Sequence, residues 1–205
     1  MDERLGRSSL ILAHTRRYGL GMHLPWPVVL ASASPRRQDL LRRIVPGFSI
    51  DAADVDESPL QDELPWQTAE RLAILKARAV FKRHSGSLVI AGDTVVAAPE
   101  KGSYVQLAKP EDETHAFQML SRLSGRKHLV ITGVCIMGPR ITRSFGVTTT
   151  VGFRDLTEEE MLDYVATGEP MDKAGAYAIQ GGAAKFVTEC LGSTTNVIGF
   201  PLEEI

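Results

Sequence analysis

From Pro27 onward, short apolar runs with strand character alternate with segments of helical period, and this alternation limits the chain to a mixed α/β fold. Val28–Ala31 reads as a buried strand and Pro35–Arg43 as a helix, followed by a strand over Phe48–Ala52 and a helix over Pro65–His84. Ser87–Ala91 is a short apolar strand that ends before Gly92. Val95–Ala98 and Ser103–Leu107 flank Pro99-Glu100-Lys101-Gly102, a hairpin signal. Glu111–Leu123 is helical, with Gly125 placed to end it. Two long strands, Leu129–Met137 and Ile141–Phe153, meet at Gly138-Pro139. Thr157 and Glu160 form a capping box for a helix to about Ala166, and a last strand is expected at Lys185–Leu191.

Composition excludes several classes. Of 205 residues, 43% are hydrophobic and 23% charged, enough to bury one core. With 23 Lys+Arg against 25 Asp+Glu, bulk charge does not suit a protein that coats nucleic acid or an anionic membrane. Cys135 and Cys190 make no disulfide framework and read as buried thiols. The five histidines share no metal spacing, and His128 reads as structural. No apolar run spans a bilayer and no signal-peptide core is visible, so a reducing cytoplasm is the expectation. Residues 1–21 carry Arg4, Arg7, Arg16 and Arg17 against Asp2 and Glu3. They are read as an N-terminal extension, either a disordered or helical arm, a stretch before a true start at Met22, or a targeting peptide. Residues 22–205 are then a single domain.

Four segments carry chemistry. In Leu30–Arg37 a strand runs straight into a helix capped by Ser34 with Pro35 as its first residue. Arg36 and Arg37 oppose the helix dipole there, so local stability does not explain them. Phosphate recognition does; a solvated basic face continued by Arg42 and Arg43 is the alternative. In the second helix, Ala69, Leu72, Ala73, Ala79 and Val80 share a face, and Lys76 lies in the middle of it. Its ammonium must snorkel or meet an anion. Asp93 and Thr94 sit just past an apolar strand end, where α/β proteins place ligands. Asp93 suits a hard cation or a general base, or caps a simple Asx-turn. Asp54, Asp56 and Glu57 form an acidic cluster that offers a second carboxylate. Lys109 supplies another cation near a bend. In Thr167–Gly182 the glycines suggest close approach to a neighbour, and Gln180 offers an amide that both donates and accepts. P-loop and GxGxxG motifs are absent.

Taken together, LASASPRRQDLL, DVDES, RLAILKA, AGDTVV, LAKP, LSGRKHLVITGV, TGEPMDKAGAYAIQGG and NVIGFPL resemble, in order, the Maf family of nucleoside triphosphate pyrophosphatases. The resemblance implies an elongated α/β fold, a mixed sheet with flanking helices and two lobes around a nucleotide cleft, related to the inosine triphosphate pyrophosphatases. It also implies a divalent cation, Mg²⁺ or Mn²⁺, and a homodimer. By position, Asp93 matches the family's proton acceptor, Glu57 its acidic residue, and Lys76 and Lys109 its active-site lysines. Asp93 and Glu57 are the implied metal ligands. Ser32, Arg36 and Arg37 match its phosphate-binding turn.

Arg36, Thr94 and Gln180 match the members that hydrolyse dTTP and UTP to the monophosphate and pyrophosphate. The alternatives are the same chemistry on 7-methyl-GTP or another modified nucleotide, and a nucleotide-binding regulator of cell division. A nucleic-acid binder is not expected. Residues 1–21 have no counterpart in the family. A final helix usually follows the position of Ile205, which leaves the packing of the C-terminus open.

Overall fold

Ser34 caps the first helix by accepting from the Arg37 N–H, and Pro35 opens it, as the sequence indicates. Asp112 caps a second helix, and Thr157 with Glu160 closes a reciprocal box on a third. A computed structural model describes residues 24–205; the extension read over 1–21 lies outside the described residues. In chain order the elements are β1 (Val28–Leu30), α1 (Pro35–Arg42), β2 (Ser49–Ile50), α2 (Pro65–Phe81), β3 (Leu88–Glu100), β4 (Ser103–Leu107), α3 (Glu113–Leu123), β5 (Lys127–Gly138), β6 (Ile141–Phe153), α4 (Glu158–Ala166), β7 (Val187–Leu191) and α5 (Thr194–Ile198). Three short 3₁₀ turns lie between α4 and β7.

The fold is mixed α/β, with a seven-stranded open sheet in the order β2-β1-β3-β5-β6-β7 and β4 added to β3. β1 runs parallel to β2 and β3, and the other pairs are antiparallel. Several boundaries differ from the sequence expectation: the helix read over Glu111–Leu123 starts at Glu113, the one read to His84 ends at Phe81, and the last strand starts at Val187. β2 keeps only Ser49 and Ile50, both exposed; it loses Asp51 and Ala52 because β1 ends at Leu30, the partner of Ile50. The two apolar runs around Gly92 are a single 13-residue strand, β3. β5 pairs with it continuously from Val89 to Ala97, so the ladder carries the chain through Gly92-Asp93-Thr94 without a turn.

Alternation along β3 and β5 sorts the core. Val89, Ala91, Val95, Ala97, Ile131 and Cys135 face α2, against Ala69, Ala73, Ala77 and Val80. On the opposite face, Ile90, Val134 and Ile136 pack under α1 with Phe200 and Ile205. Val96, Ala98 and Val130 pack under α3 and α4 with Phe153, Tyr164 and Phe186. Phe200 and Ile205 are fully buried in the first of these clusters. Thr94 and Thr132 are register partners and lie on this same face, between the two clusters.

The other edge of β3 is incomplete. β1 pairs as far as Ile90, and β4 begins pairing at Val96. Between them, among the described residues, Ala91–Val95 has no strand neighbour on that side. Both flanking strands run toward the gap, so their carboxyl ends face each other across it. Ligand sites in α/β sheets form at strand carboxyl ends where neighbouring chains diverge.

Candidate active site

Chain leaving β1 enters the gap through Ala31–Ser34 and turns into α1, while chain leaving β4 passes it through Ala108 and Lys109. Together with the floor of β3 they enclose a cavity of about 750 Å³, lined among others by Ser32, Arg36, Arg37, Glu57, Lys76, Asp93, Thr94, Lys109 and Gln180. The structure therefore brings every sequence-predicted site residue to one cavity. Asp93 is not past a strand end, as the sequence suggested, but inside β3 at its unpaired edge. An Asx-turn is excluded, since Asp93 is in ladder register with Gly133.

Asp93 faces α2, and there it meets Lys76. Lys76 Nζ donates to Asp93 Oδ1 at 2.6 Å and lies 2.8 Å from Glu57 Oε1. Lys76 and Asp93 are buried, whereas the Glu57 side chain is 56% exposed. Lys76 thus does not snorkel; its ammonium is held by two carboxylates. Asp93 Oδ2 has no protein hydrogen-bond partner among the described residues. α2 can lie this close to the sheet because β5 carries glycine beside Asp93. A Cβ on Gly133 would stand 2.1 Å from the Ala69 carbonyl oxygen.

Arg37 and Arg36 diverge from the first turn of α1. The Arg37 guanidinium turns inward and donates to Ser32 Oγ at 3.2 Å, Thr94 Oγ1 at 3.0 Å and the Gly199 carbonyl at 2.9 Å. All three acceptors are neutral. Burial pushes Arg37 below its ordinary value, opposed by the charge of Asp93. A half-buried cation with no carboxylate contact among the described residues leaves unbalanced positive charge facing the cavity. Gly92 makes room for it: a Cβ there would stand 3.2 Å from the Phe200 ring and 3.4 Å from Arg37 Nε. Arg36 instead points across the cavity mouth, 3.7 Å from Asp172 on the opposite wall. Neither arginine belongs to the exposed basic face; Arg42 does, paired with Asp39.

Lys109 is exposed and has no salt bridge among the described residues, so it can meet an incoming anion. Gln180 is exposed at the tip of the segment after α4. The glycines beside it approach protein rather than ligand. A Cβ on Gly181 would lie 1.9 Å from Glu169 Oε1, and Glu169 Oε2 accepts from the Gly182 N–H at 2.9 Å. The Glu169 carboxylate is what fixes the loop that carries Gln180.

Asp93 and Glu57 offer only carboxylate oxygens, the donor type of a hard cation. Among the described residues no group of three or more His, Cys, Asp and Glu could hold a metal ion. Two carboxylates nevertheless fit Mg²⁺ or Mn²⁺, which take much of their coordination from water and substrate phosphates.

Sequence reasoning missed Thr132, Asn196, Gly199 and Asp172. Thr132 is fully buried in an apolar strand, and the others come from distant segments. The glycine within β5 was the one readable hint, because a strand glycine marks close backbone approach. His128 is structural as expected, buried with its Nε2 2.8 Å from the Tyr177 hydroxyl. Cys135 is buried and Cys190 half-buried. Among the described residues no helix is long and apolar enough to cross a membrane.

A family model described as "Maf-like protein" matches residues 27–205. A dTTP/UTP pyrophosphatase of Paramagnetospirillum magneticum is 51% identical, covering 86% of this chain and 92% of the relative. Proteins of the same name from Koribacter versatilis and Geobacillus are 46% and 47% identical, covering 92% and 85% of this chain and 94% and 92% of their own. Among solved structures, the Ham1 protein of Staphylococcus aureus aligns at 19% identity with a TM-score of 0.44, covering 78% of this chain and 90% of that one. A HAM1 protein from Coxiella burnetii aligns at 14% identity with a TM-score of 0.46, covering 78% and 91%.

Proposed function

Because the chain belongs to the Maf family, we propose that it is a nucleoside triphosphate pyrophosphatase that hydrolyses dTTP and UTP to the monophosphate and pyrophosphate. The observation that carries this reading is the cavity itself, where the Lys76-held carboxylate of Asp93 shares one space with the anion-facing guanidinium of Arg37. The relatives' common name does not favour a 7-methyl-GTP activity or a regulator without turnover.

In this mechanism water attacks the α-phosphorus, and the bond from that atom to the α,β-bridging oxygen breaks. Lys76 holds Asp93 through Oδ1, which leaves Oδ2 to accept the water proton. Ser32, Arg36, Arg37 and Lys109 bind the phosphates and offset negative charge on the departing pyrophosphate. Glu57 and the Asp93 oxygen that does not serve as the base would hold a divalent cation, Mg²⁺ or Mn²⁺, which when bound supplies neutralisation of phosphate charge. Gln180 faces the nucleoside, its amide donating to a pyrimidine carbonyl and accepting from N3–H, while Thr94 lines the same cavity beside Arg37. The same reading includes a cytoplasmic homodimer with no nucleic-acid or membrane partner.

Pyrophosphate release from dTTP and UTP, with and without Mg²⁺ or Mn²⁺, tests this. Asp93→Asn is expected to lower turnover by at least about a hundredfold, the scale of general-base catalysis. Equal turnover by that variant would remove Asp93 from the mechanism. No release from any nucleoside triphosphate would reject the activity.

A further inference from the structure

The hydrogen bonds behind Thr94 run in one direction only. Thr132, 0% exposed, donates from Oγ1 to the Asn196 carbonyl at 3.0 Å. Thr132 Oγ1 also lies 3.0 Å from Thr94 Oγ1, and Thr94 Oγ1 lies 3.0 Å from Arg37 Nη2. A carbonyl can only accept and a guanidinium can only donate. With the Thr132 proton committed to the Asn196 carbonyl, the Thr94 proton must go to Thr132. Thr94 then turns lone pairs, not its proton, toward Arg37. Reversing either hydroxyl would set two oxygens 3.0 Å apart with no proton between them.

We propose that Thr132 is a positioning residue that locks the Thr94 hydroxyl as an acceptor and so holds the Arg37 guanidinium in the cavity. The proposal rests on the pyrophosphatase reading only in assigning Arg37 to phosphate. The relay ends on the C-terminal turn that also supplies the Gly199 carbonyl to Arg37 Nε. One short segment after β7 therefore fixes this guanidinium twice, once directly and once through two hydroxyls from adjacent strands. Nothing in the local sequence of β5 announces this. Thr132 reads as one more β-branched strand residue until its register with Thr94 is known.

The test is a mutant cycle read by inorganic pyrophosphate affinity, measured calorimetrically, and by kcat/KM for dTTP. Thr132→Val keeps the shape and removes the relay; Thr132→Ser restores the hydroxyl. Affinity and kcat/KM should fall about fivefold in the valine variant, the scale of one net hydrogen bond, and stay within about twofold of wild type in the serine variant. In a Thr94→Val background, adding Thr132→Val should change neither quantity further, because its route to Arg37 is already cut. Independent, multiplying effects of the two changes would overturn the proposal, as would an unaltered Thr132→Val or a serine variant no better than valine. Thermal melting checks folding, and Thr132→Ala replaces the valine if that variant does not fold. If the wild type binds pyrophosphate but releases none from dTTP, the activity fails while the affinity cycle still decides the role of Thr132. A wild type that does not bind pyrophosphate overturns both.

Discussion

Lys76 Nζ lies 2.6 Å from Asp93 Oδ1, joining the middle of α2 to the unpaired edge of β3 with both side chains only 10% exposed. Removing one member of such a pair leaves a buried charge without its partner. Lys76→Met should lower unfolding free energy by about 3–5 kcal/mol, read from urea denaturation. Combining it with Asp93→Asn should recover much of that loss, since neither charge is then stranded. A single variant as stable as wild type would show that the pair does not hold α2 on the sheet.

Gly133 permits the same approach of helix to sheet. With the Ala69 carbonyl 2.1 Å from a built Cβ, Gly133→Ala must push α2 outward. The expected cost is about 1–3 kcal/mol, the range of overpacked cores, together with reduced dTTP turnover as Lys76 is displaced from Asp93. Full stability and full turnover together would contradict the tight contact.

His128 makes stability pH-dependent. Burial against Phe153 and Tyr177 holds its imidazole down to about 4, from an ordinary 6.5. Between those values the unfolded chain binds a proton that the folded chain does not. This contribution is complete above pH 6.5 and is lost as pH falls toward 4, by about 3 kcal/mol across the window. Urea midpoints over that range should show the slope, and His128→Asn should flatten it. An equal slope in the variant would assign it to another group.

Gln180 has its place set by Glu169 beneath the loop, and among the described residues its amide has no hydrogen-bond partner at the cavity. Gln180→Glu exchanges the amide donor for a second acceptor and a negative charge. kcat/KM for dTTP and UTP should fall at least about tenfold, since a group that hydrogen-bonds the substrate discriminates more strongly than an apolar contact. A uniform fall across purine and pyrimidine triphosphates would mean that charge, not base reading, is responsible.

Cys135 offers an independent check on the packing under α2. Burial pushes its thiol up to about 11, so alkylation at pH 8 should modify the half-buried Cys190 first. Rapid labelling of Cys135 in the native protein would be inconsistent with this core.

Much of the molecule is legible in its order of residues, because the relevant signals are local. Ser34-Pro35 and Thr157 with Glu160 state where helices begin through their own capping bonds. Apolar alternation marks β5 and β6, and the charge of Arg36, Arg37, Lys76 and Asp93 states which side chains can handle phosphate and water. What tertiary structure decided is which of these meet. β3 passes unbroken through Gly92-Asp93-Thr94 only because β5 supplies a continuous ladder, and its other edge is open only because β1 and β4 both stop short. Arg36 and Arg37 are neighbours in sequence, yet one reaches Asp172 and the other Gly199. Local periodicity fixes the face a residue occupies. It carries no information on strand register or on which distant carbonyl closes a hydrogen bond, and those long-range pairings are what turn a set of suitable residues into one site.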